Sequence, residues 1–247
     1  MKIVATVKRT PQRDTKMRLT DGGGLVTDQI QYEVNPFDEL GVEEALVLRD
    51  KLGGEVVALA VGPDAVNEQL QTALAMGADR ALRVDTDGEL DPLQTAHALA
   101  GAIEREQPDL VLMGKLAIDS EQGQVTLMLA ELLGWPHASF ASRVEPAADG
   151  SSLRVTCEVD GGLETVDLDL PAVVTTDLRL NQPRYASLPG ILKAKKKPSD
   201  VIPLAEFELP EAGLRITGYR ALPAREKGEM LESAEELAQR LLAKNLV

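Results

Sequence analysis

The stretch Asp109-Leu110-Val111-Leu112-Met113, followed by Gly114-Lys115-Leu116-Ala117-Ile118-Asp119-Ser120 and then Glu121 to Leu133, decides the fold. A short apolar run bounded by turn formers reads as a buried strand, and the stretch behind the loop carries helical period. The same unit recurs upstream. Lys2 to Lys8, Glu55 to Val61 and Arg80 to Val84 are further short runs rich in Val, Leu and Ala. Between them lie helix-length amphipathic stretches. Pro36 to Leu52 ends at Gly53-Gly54, Asp64 to Met76 ends at Gly77, and Pro92 to Glu106 has Asp91 as cap and Pro92 at the first helical position. Strands alternating with helices imply parallel pairing through right-handed crossovers, so the first half is expected to be a doubly wound, Rossmann-like α/β sheet.

Outside this core the texture changes. Arg9 to Glu33 interrupts the alternation with Gly22-Gly23-Gly24, whose flanks Met17 to Leu19 and Leu25 to Thr27 could pair as a hairpin. After Trp135, the runs Arg143 to Glu145, Leu153 to Val159 and Glu164 to Leu168 are separated by Asp149-Gly150 and Asp160-Gly161-Gly162, the pattern of an added antiparallel meander. Ala172 to Thr176 returns to the core. From Asn181 onward, Pro183, Pro189, Pro198, Pro203, Pro210 and Pro223 leave few apolar runs, so this part is expected at the surface. Only Glu229 to Lys244 recovers helical period. The expected organisation is an α/β nucleotide-binding domain over residues 1–220 and an extended C-terminal arm over 221–247. The arm has too little apolar surface to offset ordering costs of roughly 1–2 kcal/mol per residue, so a partner is expected to order it.

Composition narrows the function. The 247 residues are 44% hydrophobic and only 3% aromatic, so the core must be aliphatic and base-stacking surfaces are not expected. A formal net charge of −14 argues against nucleic-acid binding. The charge is blocky: Asp28 to Asp91 holds 15 acidic and 4 basic residues, whereas Lys193 to Lys197 holds four lysines in five positions, a pattern that suits a macromolecular partner or a solvated face. One cysteine, Cys157, excludes an internal disulfide framework, and two histidines, His97 and His137, are too few for a soft-metal site, so no metal is expected. The apolar run Ile3 to Val7 is too short for a secretory segment, and nothing approaches a membrane span. A reducing cytoplasm is the expected compartment.

Ligands of open α/β sheets bind beyond the carboxyl ends of strands, where a helix aims free N–H groups at an anion. The loop Gly114 to Ser120 and the helix behind it are the best candidate. Gly123 leaves room for close approach of a phosphate, and Gln124 and Thr126 add polar side chains. The spacing is neither a Walker A loop nor a G-x-G-x-x-G fingerprint, and an ordinary strand-to-helix turn reads equally well. The exit Thr6-Val7-Lys8-Arg9 and the turn Asn35-Pro36-Phe37-Asp38 open onto the same edge, with Asn35 and Pro36 forming a proper helix start. Val61-Gly62-Pro63 offers either an adenine wall or a tight turn. His97, His137 and Cys157 read as structural, and no nucleophile elbow, metal cluster or glycosidase pair is visible. A nucleotide site without catalytic machinery favours binding or electron carriage over turnover. A nucleotide-hydrolysing enzyme would need a base or metal carboxylates at the strand ends, for which only Asp119 and Glu121 are placed.

Four stretches together carry a resemblance: Val34-Asn35-Pro36-Phe37-Asp38-Glu39-Leu40 with Val42-Glu43-Glu44-Ala45-Leu46; Ala73-Leu74-Ala75-Met76-Gly77-Ala78-Asp79-Arg80; Glu158-Val159-Asp160-Gly161-Gly162-Leu163-Glu164-Thr165; and Asp177-Leu178-Arg179-Leu180-Asn181 through Pro183-Arg184-Tyr185-Ala186-Ser187-Leu188-Pro189 to Lys193-Ala194-Lys195-Lys196-Lys197. The chain resembles the beta (small) subunits of electron-transfer flavoproteins over nearly its whole length. The resemblance implies a large (alpha) subunit that holds most of the redox FAD. It further implies flavin dehydrogenases of the acyl-CoA type as donors and a membrane quinone oxidoreductase as acceptor. It implies a structural AMP in this subunit, with contacts at Thr6, Asn35, Pro36, Phe37, Asp38, Val61, Gly114, Lys115, Leu116, Ala117, Ile118, Asp119, Ser120, Glu121, Gln122, Gly123, Gln124, Val125 and Thr126. It places Phe37 near the flavin and Glu158 as the acidic residue positioning the flavin domain. Arg184, Tyr185, Ala186, Ser187, Leu188, Pro189, Gly190, Ile191, Leu192 and Lys193 correspond to a partner-recognition loop within the 184–197 segment. AMP-holding members commonly read Asn-Gln-Thr-Gly where this chain reads Gly123-Gln124-Val125-Thr126, and bifurcating relatives with a second FAD read nearer to Ala-Gln-Val-Gly. The Tyr185 to Lys197 segment is similar to the non-bifurcating group, which favours AMP.

Overall fold

The computed structural model describes residues 1–225 and 227–247. They fall into two units, one of Met1–Met17 with Thr27–Ile216 and one of Arg18–Val26 with Thr217–Val247.

The larger unit is α/β. In chain order it runs β1 (Lys2–Thr6), β2 (Arg9–Pro11), β3 (Tyr32–Val34), α1 (Pro36–Leu52), β4 (Glu55–Gly62), α2 (Asn67–Met76), β5 (Arg80–Asp85), α3 (Pro92–Glu106), β6 (Leu110–Gly114) and α4 (Gln124–Leu133). It continues with β7 (His137–Pro146), β8 (Ser152–Val159), β9 (Gly162–Asp169), β10 (Ala172–Thr176), α5 (Leu188–Ala194) and β11 (Ser199–Pro203). Nine strands form one sheet in the order β11-β5-β4-β1-β6-β10-β7-β8-β9, and β2 pairs with β3 as a separate antiparallel ribbon. Pairing is parallel from β11 across to β7, and antiparallel from β7 through β8 to β9. Alternation sorts the central strands between two apolar layers. Ile3, Val56, Leu110 and Leu112 pack with Leu46 and Leu74, whereas Val4, Val57, Leu59 and Val111 pack with Leu99, Ile103 and Leu129. Helices α1 and α2 thus cover one face and α3 and α4 the other, which is why these strands are continuously apolar rather than alternating with polar residues.

Local chemistry accounts for the boundaries. Asp91 accepts from the Gln94 backbone N–H at 2.8 Å while the Gln94 side chain accepts from the Asp91 N–H, a reciprocal cap at the start of α3. Helix α4 begins three residues later than its amphipathic pattern suggests. Glu121 sits at φ 53°, a left-handed conformation that a helix cannot contain, and Gly123 is the residue before the first helical turn. The expected meander is present with longer strands.

Two further elements lie in the proline-rich stretch. Segment 188–194, expected as a loop, is the short helix α5, started by Ser187 whose Oγ accepts from the Gly190 N–H at 3.1 Å. Ser199–Pro203 adds a parallel edge strand next to β5. The hairpin expected across the triple glycine reduces to a Leu19–Leu25 bridge, and the paired ribbon there is Arg9–Pro11 with Tyr32–Val34. In the smaller unit the Tyr219 N–H donates to the Gly23 carbonyl at 3.2 Å, and a helix α6 (Ala234–Ala243) carries no buried residue.

Candidate functional site at the strand exits

Strand order reverses at the centre of the sheet. From β1 the chain moves outward to β4 and β5, then crosses back to lay β6 on the other side of β1. The exits of β1 and β6 therefore lie side by side with no crossover helix between them, the place where open α/β sheets hold ligands.

The first turn of α1 plugs this gap. Asp38 accepts from the Lys8 N–H and from the Gly114 N–H, each at 2.8 Å, so one carboxylate ties the two strand exits together. It is buried, and burial pushes its pKa up from the ordinary 3.8 to about 6 against the opposing pull of those two N–H donors. Asn35, which reads in the sequence as a helix cap, is used differently. Its Nδ2 donates to the Leu116 carbonyl at 2.9 Å and its Oδ1 accepts from the Ile118 N–H at 3.2 Å, pinning the loop after β6. Thr176, at the end of β10, donates from Oγ1 to the Phe37 carbonyl at 2.7 Å. Gly114 is required by this crowding: a Cβ there would stand 2.5 Å from Asp38 Oδ1, 2.8 Å from Phe37 Cβ and 2.9 Å from Asn35 Nδ2.

Thr6, Asn35, Phe37, Asp38 and Gly114 are thus brought together in one buried frame, and Pro36 and Val61 are half-buried beside it. The loop Lys115 to Gln122 becomes progressively exposed outward from that frame, folding back on itself through the Ala117–Gln122 bridge. A Cβ at Gly123 would meet the Lys115 carbonyl at 2.7 Å, so glycine keeps the loop tight against the N-terminus of α4. Behind it Thr126 is buried, Val125 half-buried and Gln124 exposed. Asp119 receives the Lys8 ammonium at 2.8 Å, and Glu121 is exposed.

Two residues of the site escaped the sequence reading. Asp177 is buried and binds the Lys115 ammonium at 2.6 Å. The same ammonium lies 5.0 Å from the Phe37 ring centre and 5.2 Å from that of Phe140, within cation–π range of both. Phe140 stands at φ 60°, an unusual conformation for an aromatic residue, with its N–H donated to Thr175 Oγ1 at 2.7 Å. Nothing in the sequence signals it, because the strain arises from a register shift in the pairing of β7 with β10.

The segment 184–193 divides into anchor and display. Arg184 binds the buried Glu43 of α1 through Nε at 2.9 Å and Nη2 at 3.0 Å, and Asn181 donates to the Leu40 carbonyl and to Glu44. Pro183 to Ser187 then leads into α5, which lies on α2 so closely that a Cβ at Gly190 would be 2.6 Å from the Ala75 carbonyl. Tyr185 is fully exposed, and Leu188 (71%), Ile191 and Leu192 are exposed on α5. Lys193, Lys195 and Lys196 are exposed, but the Lys197 ammonium caps the end of α2 through the Leu74 and Ala78 carbonyls at 2.9 and 2.6 Å. Glu158, on β8, pairs with Arg179 at 2.7 Å.

A separate open cleft of about 550 Å³ lies between the β3–α1 junction and α2. Among the described residues, Asp14, Glu33, Glu39 and Glu68 line it together with Arg13, a balance of charge that repels phosphate.

A mostly parallel α/β sheet with a helix N-terminus at its point of strand reversal defines a class of ligand-holding carriers and enzymes. Comparison with known proteins selects one family within it. A model described as the electron transfer flavoprotein domain matches residues 23–207. The electron transfer flavoprotein subunit beta of Bradyrhizobium diazoefficiens is 45% identical, with 98% of this chain and 97% of that protein covered. The human protein of the same name is 44% identical over 98% of this chain and 96% of its own length, and the mitochondrial one of Arabidopsis thaliana 43% over 98% and 97%. The chain belongs to the electron transfer flavoprotein beta subunit family.

Proposed function

We propose that this chain is the small subunit of a heterodimeric electron-transfer flavoprotein, a carrier that takes electrons from flavin dehydrogenases of the acyl-CoA type and delivers them towards a membrane quinone oxidoreductase. In this reading a large subunit holds most of the redox FAD, and this chain holds a structural AMP. The frame at the strand exits carries the assignment. Asn35 and Asp38 fix the backbone around Gly114 to Ile118, and Gly123 leaves no side chain between that loop and the first turn of α4. These features fit a nucleotide monophosphate: an adenine beside Val61, and a phosphate on the N-terminus of α4 with Gln124 and Thr126 at hand. The bound nucleotide supplies no redox chemistry here; it orders the loop.

Electron carriage also suits the side chains. The strand-end carboxylates Asp38, Asp119 and Asp177 are each engaged by N–H donors or an ammonium, as suits a binding site. The exposed apolar side chains of α5, rimmed by Lys193, Lys195 and Lys196, suit a docking surface for the donor dehydrogenase. Glu158 would face the flavin domain, and α6, apolar on one side and without a buried residue, would serve as a docking arm on the large subunit. The lone buried Cys157 suits a reducing compartment such as the cytoplasm. Among the described residues no helix is long and apolar enough to cross a membrane.

The test is nucleotide release from the denatured, purified complex. One AMP and one FAD per heterodimer is expected. Two FAD would overturn the AMP assignment and place the chain with bifurcating relatives.

A further inference from the structure

Glycine is the poorest helix former after proline, yet Gly101 stands inside α3. The nearest atoms to a Cβ at that position all belong to the Phe207 ring, with Cε1 at 2.7 Å, so the ring fills the notch that a side chain would need. Arg105 covers the same ring, 4.7 Å from its centre, and pairs with Glu206 at 2.7 Å. On either side Leu204 and Leu209 pack against the apolar layer of α3 and α4. Further along, Gln94 Nε2 donates to the Pro210 carbonyl at 3.0 Å. At the start of α3 the Asp91 carboxylate is shared. One oxygen caps the helix through the Gln94 N–H, and the other accepts from the Gly213 N–H at 2.6 Å and the Leu214 N–H at 3.3 Å. The Gln94 N–H, ahead of those of Gly213 and Leu214, holds the Asp91 carboxyl below its ordinary value. Residues 204–214 thus form a strap running antiparallel along α3. Residues 211–225 are all exposed, so burial does not hold the chain there, and the Asp91 carboxylate does so instead.

We propose that α3 is a track on which residues 204–214 are latched, and that Gly101 and Asp91 are positioning residues which order the root of the C-terminal arm before the large subunit binds it. The inference rests on the reading of residues 221–247 as a docking arm. An arm whose root is already fixed loses less freedom on association, and its contacts with the partner are made at a higher effective concentration.

Two variants release the strap in different ways. Gly101→Ala supplies a better helix former while expelling the Phe207 ring. Asp91→Asn keeps a good cap for α3 but has one oxygen in place of two, and so cannot also serve Gly213 and Leu214. The experiment is dilution of the intact complex with the large subunit to obtain its dissociation constant, with hydrogen exchange followed along the chain. In both variants exchange over 204–214 should quicken and the dissociation constant rise about tenfold, while exchange in β1, β4 and β6 stays slow as proof of an intact sheet. Unchanged exchange over 204–214 in either variant overturns the latch. Quicker exchange at unchanged affinity overturns its role in assembly, and weaker assembly at unchanged exchange overturns it too, since α3 would then touch the large subunit directly. A chain truncated after Leu222 separates the two readings. Wild-type affinity of that chain refutes the docking arm and the proposal with it, whereas a weakened truncated chain beside unaffected latch variants refutes the proposal alone.

Discussion

Replacing Asp38 by Asn separates the charge of this buried carboxyl from its shape. Burial raises the pKa from 3.8 to about 6, and that rise corresponds to about 3 kcal/mol by which the ionised form is disfavoured in the folded protein. An acid whose folded pKa exceeds its unfolded value adds stability that is fully present below the unfolded pKa. That stability is withdrawn as pH climbs through the window between the two values. For Asp38 the window runs from 3.8 to about 6, and the stability advantage of the native protein over Asp38→Asn should shrink across it. Between about pH 4.5 and about pH 7.5 the change should be about 2 kcal/mol. Superimposed on this is an offset independent of pH, because the asparagine oxygen can serve the N–H groups of Lys8 and Gly114 less well than two carboxylate oxygens. Comparing the two proteins cancels the other titrating groups, including Asp50 and Glu106, whose carboxyls are shifted the opposite way. Chemical denaturation of both proteins across this range measures the difference. A difference flat to within about 0.5 kcal/mol would refute the view that Asp38 ionises against its surroundings.

Gly114→Ala should lower stability by about 3 kcal/mol, from overpacking against Asp38 and Phe37 and from strain on the Asp38 bond. The expected fall in melting temperature is about 6–12 °C, with loss of bound nucleotide; an unchanged melting curve contradicts the close approach seen here. Arg184→Ala should cost about 1–3 kcal/mol by leaving buried Glu43 without its guanidinium, read by the same denaturation assay. Leu188→Ala, at an exposed position, should change stability by less than about 0.5 kcal/mol yet sharply slow reduction by the donor dehydrogenase in stopped flow. Truncation after Leu222 should weaken assembly with the large subunit, and wild-type affinity of the truncated chain would remove the arm from the interface.

The parallel half of the sheet was legible because strands covered on both faces must be apolar throughout, and Leu110 to Met113 could be little else. Ser199–Pro203 was not legible, since an exposed edge strand with only Ile202 half-buried takes its conformation from β5 rather than from its own residues. Asn35 illustrates a different limit. A residue before a proline at a helix start is favoured as a cap, and the same side chain is equally able to clamp a loop 81 residues downstream; only the fold decides which donors and acceptors arrive beside it. The late start of α4 follows from the left-handed backbone at Glu121, a conformation that amphipathic period cannot reveal.

Helix α5 is moored at both ends, by Asn181 and Arg184 to α1 and by β11 to the outer edge of the sheet. A surface held this way has already lost most of its freedom before any partner arrives. Association then spends little entropy on ordering the contact, so complexes can be brief and still selective. Lengthening the connection between Lys196 and Ser199 should therefore loosen donor binding even with every exposed side chain of α5 intact.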